Sequence, residues 1–233
     1  ALFLNRTGLQ QNILPHNINY KANIYALKKH GATSIIALSS VRSLREELKP
    51  GDMVIPYQFI DRTKSLRDFT FCEDGLLNYV SLSKPITESI AEEIRERKAS
   101  FNFPIHFKQS YVCIEGPQFP TIMDAKCFQS MGGGVIGMTA FPEFALAREA
   151  GLNYISCNFV VDYVPWSYDV RNEYNVLEIR QTNNTKAETL VTWMVNNLSF
   201  YAENDCHELG IASYLSTPLD TLPPNKKAWL KTI

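Results

Sequence analysis

Asp162 is the residue best placed for chemistry, because it stands where a long apolar run of the chain ends. In an open α/β sheet the ends of buried strands form the rim at which ligands usually bind. A carboxyl group at that rim could act as an acid or a base. Asp is also a common turn residue, and this segment could be an ordinary strand that ends before Pro165. The residues alone leave both interpretations open.

Five other polar side chains also fall at predicted strand ends, where they could bind an anion together. A guanidinium and hydroxyl groups are donors suited to phosphate. The five residues are Arg6, Thr7, Ser39, Ser40 and Thr139. They could equally be ordinary turn residues, because the sequence does not give the order of the strands.

Phe119 follows a turn formed by Glu115, Gly116 and Pro117. Its ring could stack on a planar ligand or belong to the core.

No metal site is predicted, because the four histidines are isolated along the chain. Phosphate-binding glycine motifs and nucleophile elbows do not follow any predicted strand. These patterns argue against zinc enzymes, nucleotide hydrolases and dinucleotide-dependent enzymes.

The elements that must position these residues alternate between helices and strands, which predicts an α/β fold. We predict helices at 18–30, 87–98 and 185–200, and strands at 1–4, 34–38 and 53–56. The predicted architecture is a single-domain three-layer sandwich, with a mixed β-sheet flanked by helices, over residues 1–200. Residues 201–233 are predicted to be a C-terminal tail with a short helix, because prolines interrupt them.

Charge and cysteine content indicate which partners and which cellular compartment to expect. The chain of 233 residues has 23 Lys and Arg against 24 Asp and Glu, so no overall field attracts it to nucleic acid or to a membrane. Its five cysteines are far apart and odd in number, which favours reduced thiols. With no signal peptide or membrane span in the sequence, we expect a cytoplasmic protein, with the nucleus as the alternative.

Several colinear segments give the chain a family resemblance. They are Arg6 with Gly8, then residues 18–28, 43–52, 58–63, 115–119, 137–140 and 142–151. Through them the chain resembles the methylthioadenosine phosphorylase branch of the trimeric purine nucleoside phosphorylases, over nearly all of residues 1–200. The resemblance implies a nucleoside phosphorylase-like fold and a homotrimer. It also implies inorganic phosphate as co-substrate, with no cofactor.

The implied reaction converts 5'-methylthioadenosine and phosphate to adenine and 5-methylthioribose 1-phosphate, as in purine and methionine salvage. By the resemblance, Asp162 is the catalytic residue that faces purine N7, and a carboxyl group there favours adenine-type bases. Phe119 would stack on the base, Met138 would lie under the ribose, and Val164 would also contact the substrate. The phosphate contacts would be Arg6, Thr7, Ser39, Ser40 and Thr139.

Four departures from the family pattern support an alternative. Thr7 and Tyr79 replace histidines, Arg42 replaces a glycine beside the purine, and Val164 replaces a second carboxylate. We also expect the family's N-terminal strand and glycine-rich phosphate loop to be missing before Ala1. The alternative is a catalytically impaired paralogue that acts as a structural or regulatory subunit. The apolar stretch 101–105 would suit a subunit interface.

Overall fold

The computed structural model describes residues 1–64, 66–73, 75–166, 175–197, 210–211 and 215–232. Within these ranges the strands form a mixed sheet against which helices pack, which confirms the predicted α/β class. The strands are β1 Ser34–Ser43, β2 Met53–Arg62, β3 Ile105–Ile114, β4 Val135–Gly137 and β5 Asn153–Tyr163. The helices are α1 Tyr20–Lys29, α2 Glu88–Glu96, α3 Ile122–Ser130, α4 Glu143–Glu149, α5 Val176–Asn197 and α6 Pro224–Leu230.

Two long parallel pairs, β1 with β5 and β2 with β3, make up most of the sheet. The short β4 joins them, since it runs parallel to β3 and antiparallel to β1. A short antiparallel contact also links β2 to β5. Every residue of β5 from Asn153 to Asp162 is buried, and α4 and α5 both contact this strand. A strand covered on both faces explains the continuous apolar run in the sequence.

β1 and β2 are longer than the apolar runs from which they were predicted, and both continue into polar residues. β1 continues from Leu38 to Ser43, because its pairing with β5 extends along its whole length. Ser39 and Ser40 therefore lie within a strand and not after its end, which corrects the sequence prediction. β2 likewise continues to Arg62, because β3 pairs with it to that point.

Two apolar segments do not have the structure that their composition suggests. Residues 1–4 form no strand, and Phe3 is largely exposed. β-forming residues need a ladder partner, and none of the described residues pairs with this segment. Phe101 and Phe103, predicted to suit an interface, are buried in the core against Trp193 and Phe159.

Helix boundaries also differ from the pattern-based ones. α5 begins at Val176 and not near residue 185, because Asn175 accepts hydrogen bonds from the backbone N–H groups of Leu177 and Glu178 and so caps an earlier turn. Its predicted last residues, 198–200, lie outside the described residues. α2 ends at Glu96, two residues before the predicted end at Lys98.

Part of the predicted tail packs on the main body of the protein. Ile211 and Leu222 are buried, and the predicted short helix is present as α6, whose Trp229 contacts Phe71. Residues 201–209 fall outside the described part of the chain, and Cys206 is among them. The cysteines that the structure describes, Cys72, Cys113, Cys127 and Cys157, are free thiols, as expected.

In the part of the chain that the structure describes, none of the helices has both the length and the apolar character needed to cross a bilayer.

Candidate active site

A cleft of about 1270 Å³ collects most of the residues singled out from the sequence. Residues 1–7, β1 and the loop after β4 line it. The predicted site residues among its lining are Arg6, Thr7, Ser39, Ser40, Phe119, Met138 and Thr139. Asp162 and Val164 are instead almost fully buried, each with 1% of its surface exposed.

The anion-binding candidates Arg6, Ser39 and Thr139 are in direct contact. Arg6 Nη2 donates a hydrogen bond to Ser39 Oγ at 2.6 Å, and Ser39 Oγ lies 3.2 Å from Thr139 Oγ1. β1 supplies the serine and the loop after β4 supplies the threonine, although 100 residues separate them in the sequence. A guanidinium beside two hydroxyl groups is a set of donors that can bind a phosphate ion.

Thr7 and Ser40 lie nearby but outside this hydrogen-bonded group. The Thr7 hydroxyl donates to Asn5 Oδ1 at 3.0 Å, within its own turn. Ser40 is exposed on β1 and lines the cleft, next to Ser39 in the strand. Both hydroxyls border the cleft, so the structure brings them near the anion-binding group without linking them to it.

Glu143 of α4, which sequence patterns did not identify, holds Arg6 in place. Arg6 Nη1 lies 2.8 Å from both carboxylate oxygens of Glu143, and Tyr154 donates to the same carboxylate at 3.0 Å. Burial alone would lower the pKa of Arg6, but the Glu143 carboxylate, with smaller contributions from Tyr154 and Tyr111, outweighs burial and raises this pKa. The guanidinium is thus fixed in orientation and remains charged at any physiological pH.

The loop that carries Met138 and Thr139 needs a glycine at its start. A Cβ atom on Gly137 would lie only 1.9 Å from Tyr111 Oη. Tyr111 is fully buried on β3, and burial raises the pKa of its phenol. The absence of a side chain at Gly137 lets β4 pass close to this ring and turn toward the cleft.

Phe119 and Asp162, the candidates for binding a planar base, are separated by a third side chain. The Arg42 guanidinium carbon lies 3.8 Å from the centre of the Phe119 ring. On its other side, Arg42 Nη2 lies 3.3 Å from Asp162 Oδ2. Phe119 is 55% exposed, whereas Asp162 is buried and its Oδ1 accepts from the backbone N–H of Tyr163 at 2.8 Å.

Val164, the remaining candidate near the base, is packed among apolar side chains. It belongs to a buried cluster with Leu44, Ile114 and Ile136. Its methyl groups offer no hydrogen bond, and Val164 is not among the residues that line the cleft.

A buried ion pair, Arg67 with Glu115, connects the two halves of the site and was missed by the sequence patterns. Arg67 Nε donates to Glu115 Oε1 at 2.6 Å, and Arg67 Nη1 donates to the Met138 carbonyl at 2.8 Å. The Phe141 carbonyl also accepts from Nη1, and the Glu115 carbonyl accepts from Nη2 at 3.0 Å. Arg67 therefore links the loop before Phe119 to the loop that carries Met138 and Thr139.

The same two loops also touch directly. A Cβ on Gly116, whose φ is +70°, would lie 2.4 Å from Met138 Sδ. Glycine is favoured at this position because its φ lies in the left-handed region, and the absence of a Cβ lets the Met138 side chain approach closely. No sequence signal predicted the Arg67 pair, because 48 residues separate the two partners and Arg67 lies in a loop without periodicity.

Comparisons with known proteins agree with this arrangement. The model of the phosphorylase superfamily matches residues 2–196. The S-methyl-5'-thioadenosine phosphorylase of Nitrosopumilus maritimus is 42% identical over 196 residues, which is 84% of this chain and 74% of the relative. The enzyme of the same name from Hyperthermus butylicus is 38% identical over 93% of this chain and 78% of its own length.

Solved structures that resemble this chain belong to the same family as the relatives found by sequence. A methylthioadenosine phosphorylase from an antarctic soil metagenomic library superimposes with a TM-score of 0.89 at 34% identity, covering 99% of this chain and 82% of that structure. The Schistosoma mansoni methylthioadenosine phosphorylase in complex with adenine gives a TM-score of 0.80 at 29% identity, covering 93% and 84%. With its nucleoside phosphorylase-like fold and its match over most of its length, this chain is an enzyme that belongs to the phosphorylase superfamily.

Proposed function

We propose that the protein catalyses the phosphorolysis of 5'-methylthioadenosine, which gives adenine and 5-methylthioribose 1-phosphate. The observation that supports this most strongly is the pairing of an anion-binding group, Arg6 with Ser39 and Thr139, and an aromatic face, Phe119, along one cleft. The names of the relatives support the choice of nucleoside.

In this reaction a phosphate oxygen forms a bond to the anomeric carbon while the bond from that carbon to purine N9 breaks. The bonding electron pair leaves with the purine, and the sugar carbon becomes positively charged in the transition state. An enzyme accelerates such a step when it stabilises these developing charges more than it stabilises the bound substrates. The site must therefore hold an anion on one side of the sugar and neutralise the base on the other.

The phosphate side of the proposal relies on the fixed guanidinium of Arg6. The Glu143 carboxylate accepts from Arg6 and fixes its guanidinium. The hydroxyls of Ser39 and Thr139 lie beside that guanidinium, so the three side chains form a compact cluster of donors at the cleft. Thr7 and Ser40 are proposed as additional phosphate contacts, because both line the same cleft. Inorganic phosphate is the co-substrate in this scheme.

The base side relies on Asp162 and Phe119. Phe119 would stack on the purine, and Asp162 would donate a proton toward N7 as the base departs. Met138, which contacts the Gly116 turn, would lie under the ribose and fix its distance from Phe119. Val164 would bound the base pocket with an apolar wall.

We further propose a homotrimer, as the family resemblance implies. Light scattering on the purified protein measures the molar mass of the assembly. Three times the 26.5 kDa chain mass would support the trimer, and a monomer would contradict it.

The decisive experiment measures adenine release from 5'-methylthioadenosine by the purified full chain, with and without inorganic phosphate. Phosphate-dependent release, with stoichiometric sugar 1-phosphate, would support the proposal. Release without phosphate would indicate hydrolysis instead. A folded protein that releases no adenine in either condition would overturn the proposal and favour the catalytically impaired paralogue.

A further inference from the structure

We propose that Arg42 is a displaceable occupant of the base subsite, so that a purine binds by pushing its guanidinium away from Phe119 and Asp162. This inference rests on the proposed function, because that function defines the base subsite. It adds a residue that sets the affinity for the nucleoside without taking part in the chemical step.

The guanidinium lies between the two groups proposed to bind the base. Its carbon is 3.8 Å from the centre of the Phe119 ring, the separation of a stacked planar group. Its Nη2 atom is 3.3 Å from Asp162 Oδ2. A guanidinium is flat and carries hydrogen-bond donors at its edge, as an adenine ring with its 6-amino group does. Arg42 thus makes the two kinds of contact expected of the base.

The pairing of β1 with its neighbouring strands places Arg42 beside Asp162. Arg42 pairs with Ile136 of β4 on one side and with Asp162 of β5 on the other. The register of β1 and β5 shifts after Val41, which pairs with Val160, so Val161 is an extra residue. Such a bulge changes which side chain faces a neighbouring strand. The bulge therefore brings Asp162 beside Arg42.

The guanidinium and a purine cannot share this space. A base stacked on the same face of Phe119 and bonded to Asp162 would overlap the position that the guanidinium holds. Arg42 has a route out, because its side chain is 22% exposed and lines the open cleft. Its flexible stem can move without any change in the strand, and its charge would then be solvated.

Because the purine must displace the Arg42 guanidinium, the measured affinity of the protein for the base is lower than it would be with an open subsite. When the binding-competent state is only a fraction of the population, the apparent dissociation constant rises by the inverse of that fraction. When the guanidinium is removed by substitution, every protein molecule has an open base subsite and can bind the purine. The effect concerns the nucleoside and its base, whereas the proposed phosphate contacts are other residues, Arg6, Ser39 and Thr139.

The test compares adenine binding by calorimetry for the wild type, Arg42→Gly, Arg42→Ala and the control Arg97→Gly. Arg97 is an exposed arginine at the end of α2 and is not among the residues that line the cleft. We expect both Arg42 variants to bind adenine about tenfold more tightly than the wild type. We expect the KM for methylthioadenosine to fall similarly while the KM for phosphate is unchanged, and Arg97→Gly to behave as the wild type.

A second probe tests whether the vacated space accepts a guanidinium. Methylguanidinium at millimolar concentration should compete with adenine in Arg42→Ala but not in the wild type, whose own guanidinium holds the space. Circular dichroism checks that each variant is folded. Two different substitutions of Arg42 are used so that the test remains possible if one of the variants does not fold.

The outcomes separate the inference from the function on which it rests. If the wild type splits methylthioadenosine and folded Arg42 variants bind adenine no more tightly, the inference is overturned while the proposed function stands. If neither the wild type nor any folded variant binds adenine or splits the nucleoside, the proposed function is overturned and the inference falls with it.

Discussion

Arg42 and Asp162 are direct neighbours across the parallel pair of β1 and β5, and the extra residue Val161 makes them so. Without the bulge, Arg42 would pair with Val161 and the carboxylate would pair with Ser43. A change of one residue in register moves a side chain to the opposite face of a sheet. The chemistry available at this end of β5 therefore depends on a local irregularity of the strand.

Asp162→Asn should lower kcat for adenine release by about a hundredfold, because general acid catalysis typically contributes that much or more. The asparagine Oδ1 can still accept from the Tyr163 N–H, so the strand end should keep its structure. Steady-state kinetics with a thermal unfolding control measures both effects. Asp220→Asn, at an exposed position near α6, is the matched control. A kcat equal to the wild type would rule out Asp162 as the acid.

Arg6→Lys should raise the KM for phosphate about tenfold and leave the KM for the nucleoside nearly unchanged. A lysine ammonium cannot donate at once to Glu143, to Ser39 and to a bound anion in the fork geometry of a guanidinium. The two constants come from titrating each substrate at saturating concentrations of the other. Arg97→Lys serves as the surface control. Equal rises in both constants would contradict a specific role with phosphate.

Glu115→Gln should lower the free energy of unfolding at pH 7 by about 3 kcal/mol, because it leaves the buried Arg67 without its carboxylate. Denaturant unfolding measures this difference. Glu96→Gln, which removes an exposed carboxylate at the end of α2, should change the free energy little.

The same variant should alter the pH dependence of stability. Burial would raise the pKa of Glu115, but hydrogen bonds from the Lys64 N–H and from Arg67 outweigh it and lower the pKa. An acid whose pKa is lower in the folded state stabilises the fold above its unfolded pKa of about 4.3, and that contribution is lost as pH falls. Below about pH 5, Glu115→Gln should therefore lose less stability than the wild type. Parallel curves would contradict the assignment.

Thiol reactivity should differ sharply among the described cysteines. Burial raises the pKa of Cys113 to about 11 and that of Cys157 to about 12, so neither forms thiolate at pH 8. Cys127 is exposed on α3. Iodoacetamide should label Cys127 in the native protein and the two buried thiols only after unfolding. Peptide mass spectrometry reads the labelled sites, and native labelling of Cys157 would contradict the described core.

Much of the fold was predictable because its signals are local. The buried β5 appears as a continuous apolar run, and the amphipathic α2 follows the spacing of Ile90, Ala91 and Ile94. The wrong predictions came from the same local rules. Residues 1–4 have strand composition without a described ladder partner. Phe101 and Phe103 fill the core although they lie in the loop before β3.

The site was predictable only in part, since contacts between distant residues carry it. The sequence analysis predicted that Arg6, Ser39 and Thr139 could meet, and the structure brings them into contact. Its premise was wrong in part, because Ser39 lies within β1 and none of the described residues before Arg6 lies in a strand. Glu143 was not identified, because its partner Arg6 is 137 residues away. The sequence showed that Arg42 differs from the family, but only strand register reveals where its guanidinium lies.

Arg67 has a consequence for motion within the protein. Its guanidinium bonds at once to the segment before Phe119 and to the carbonyls of Met138 and Phe141. Neither segment can open without breaking bonds that also hold the other, so the two should exchange their amide hydrogens as one cooperative unit. A ligand that orders one segment then reduces the entropy that the second ligand must still remove. The buried pair in this way makes the two halves of the cleft thermodynamically dependent on each other.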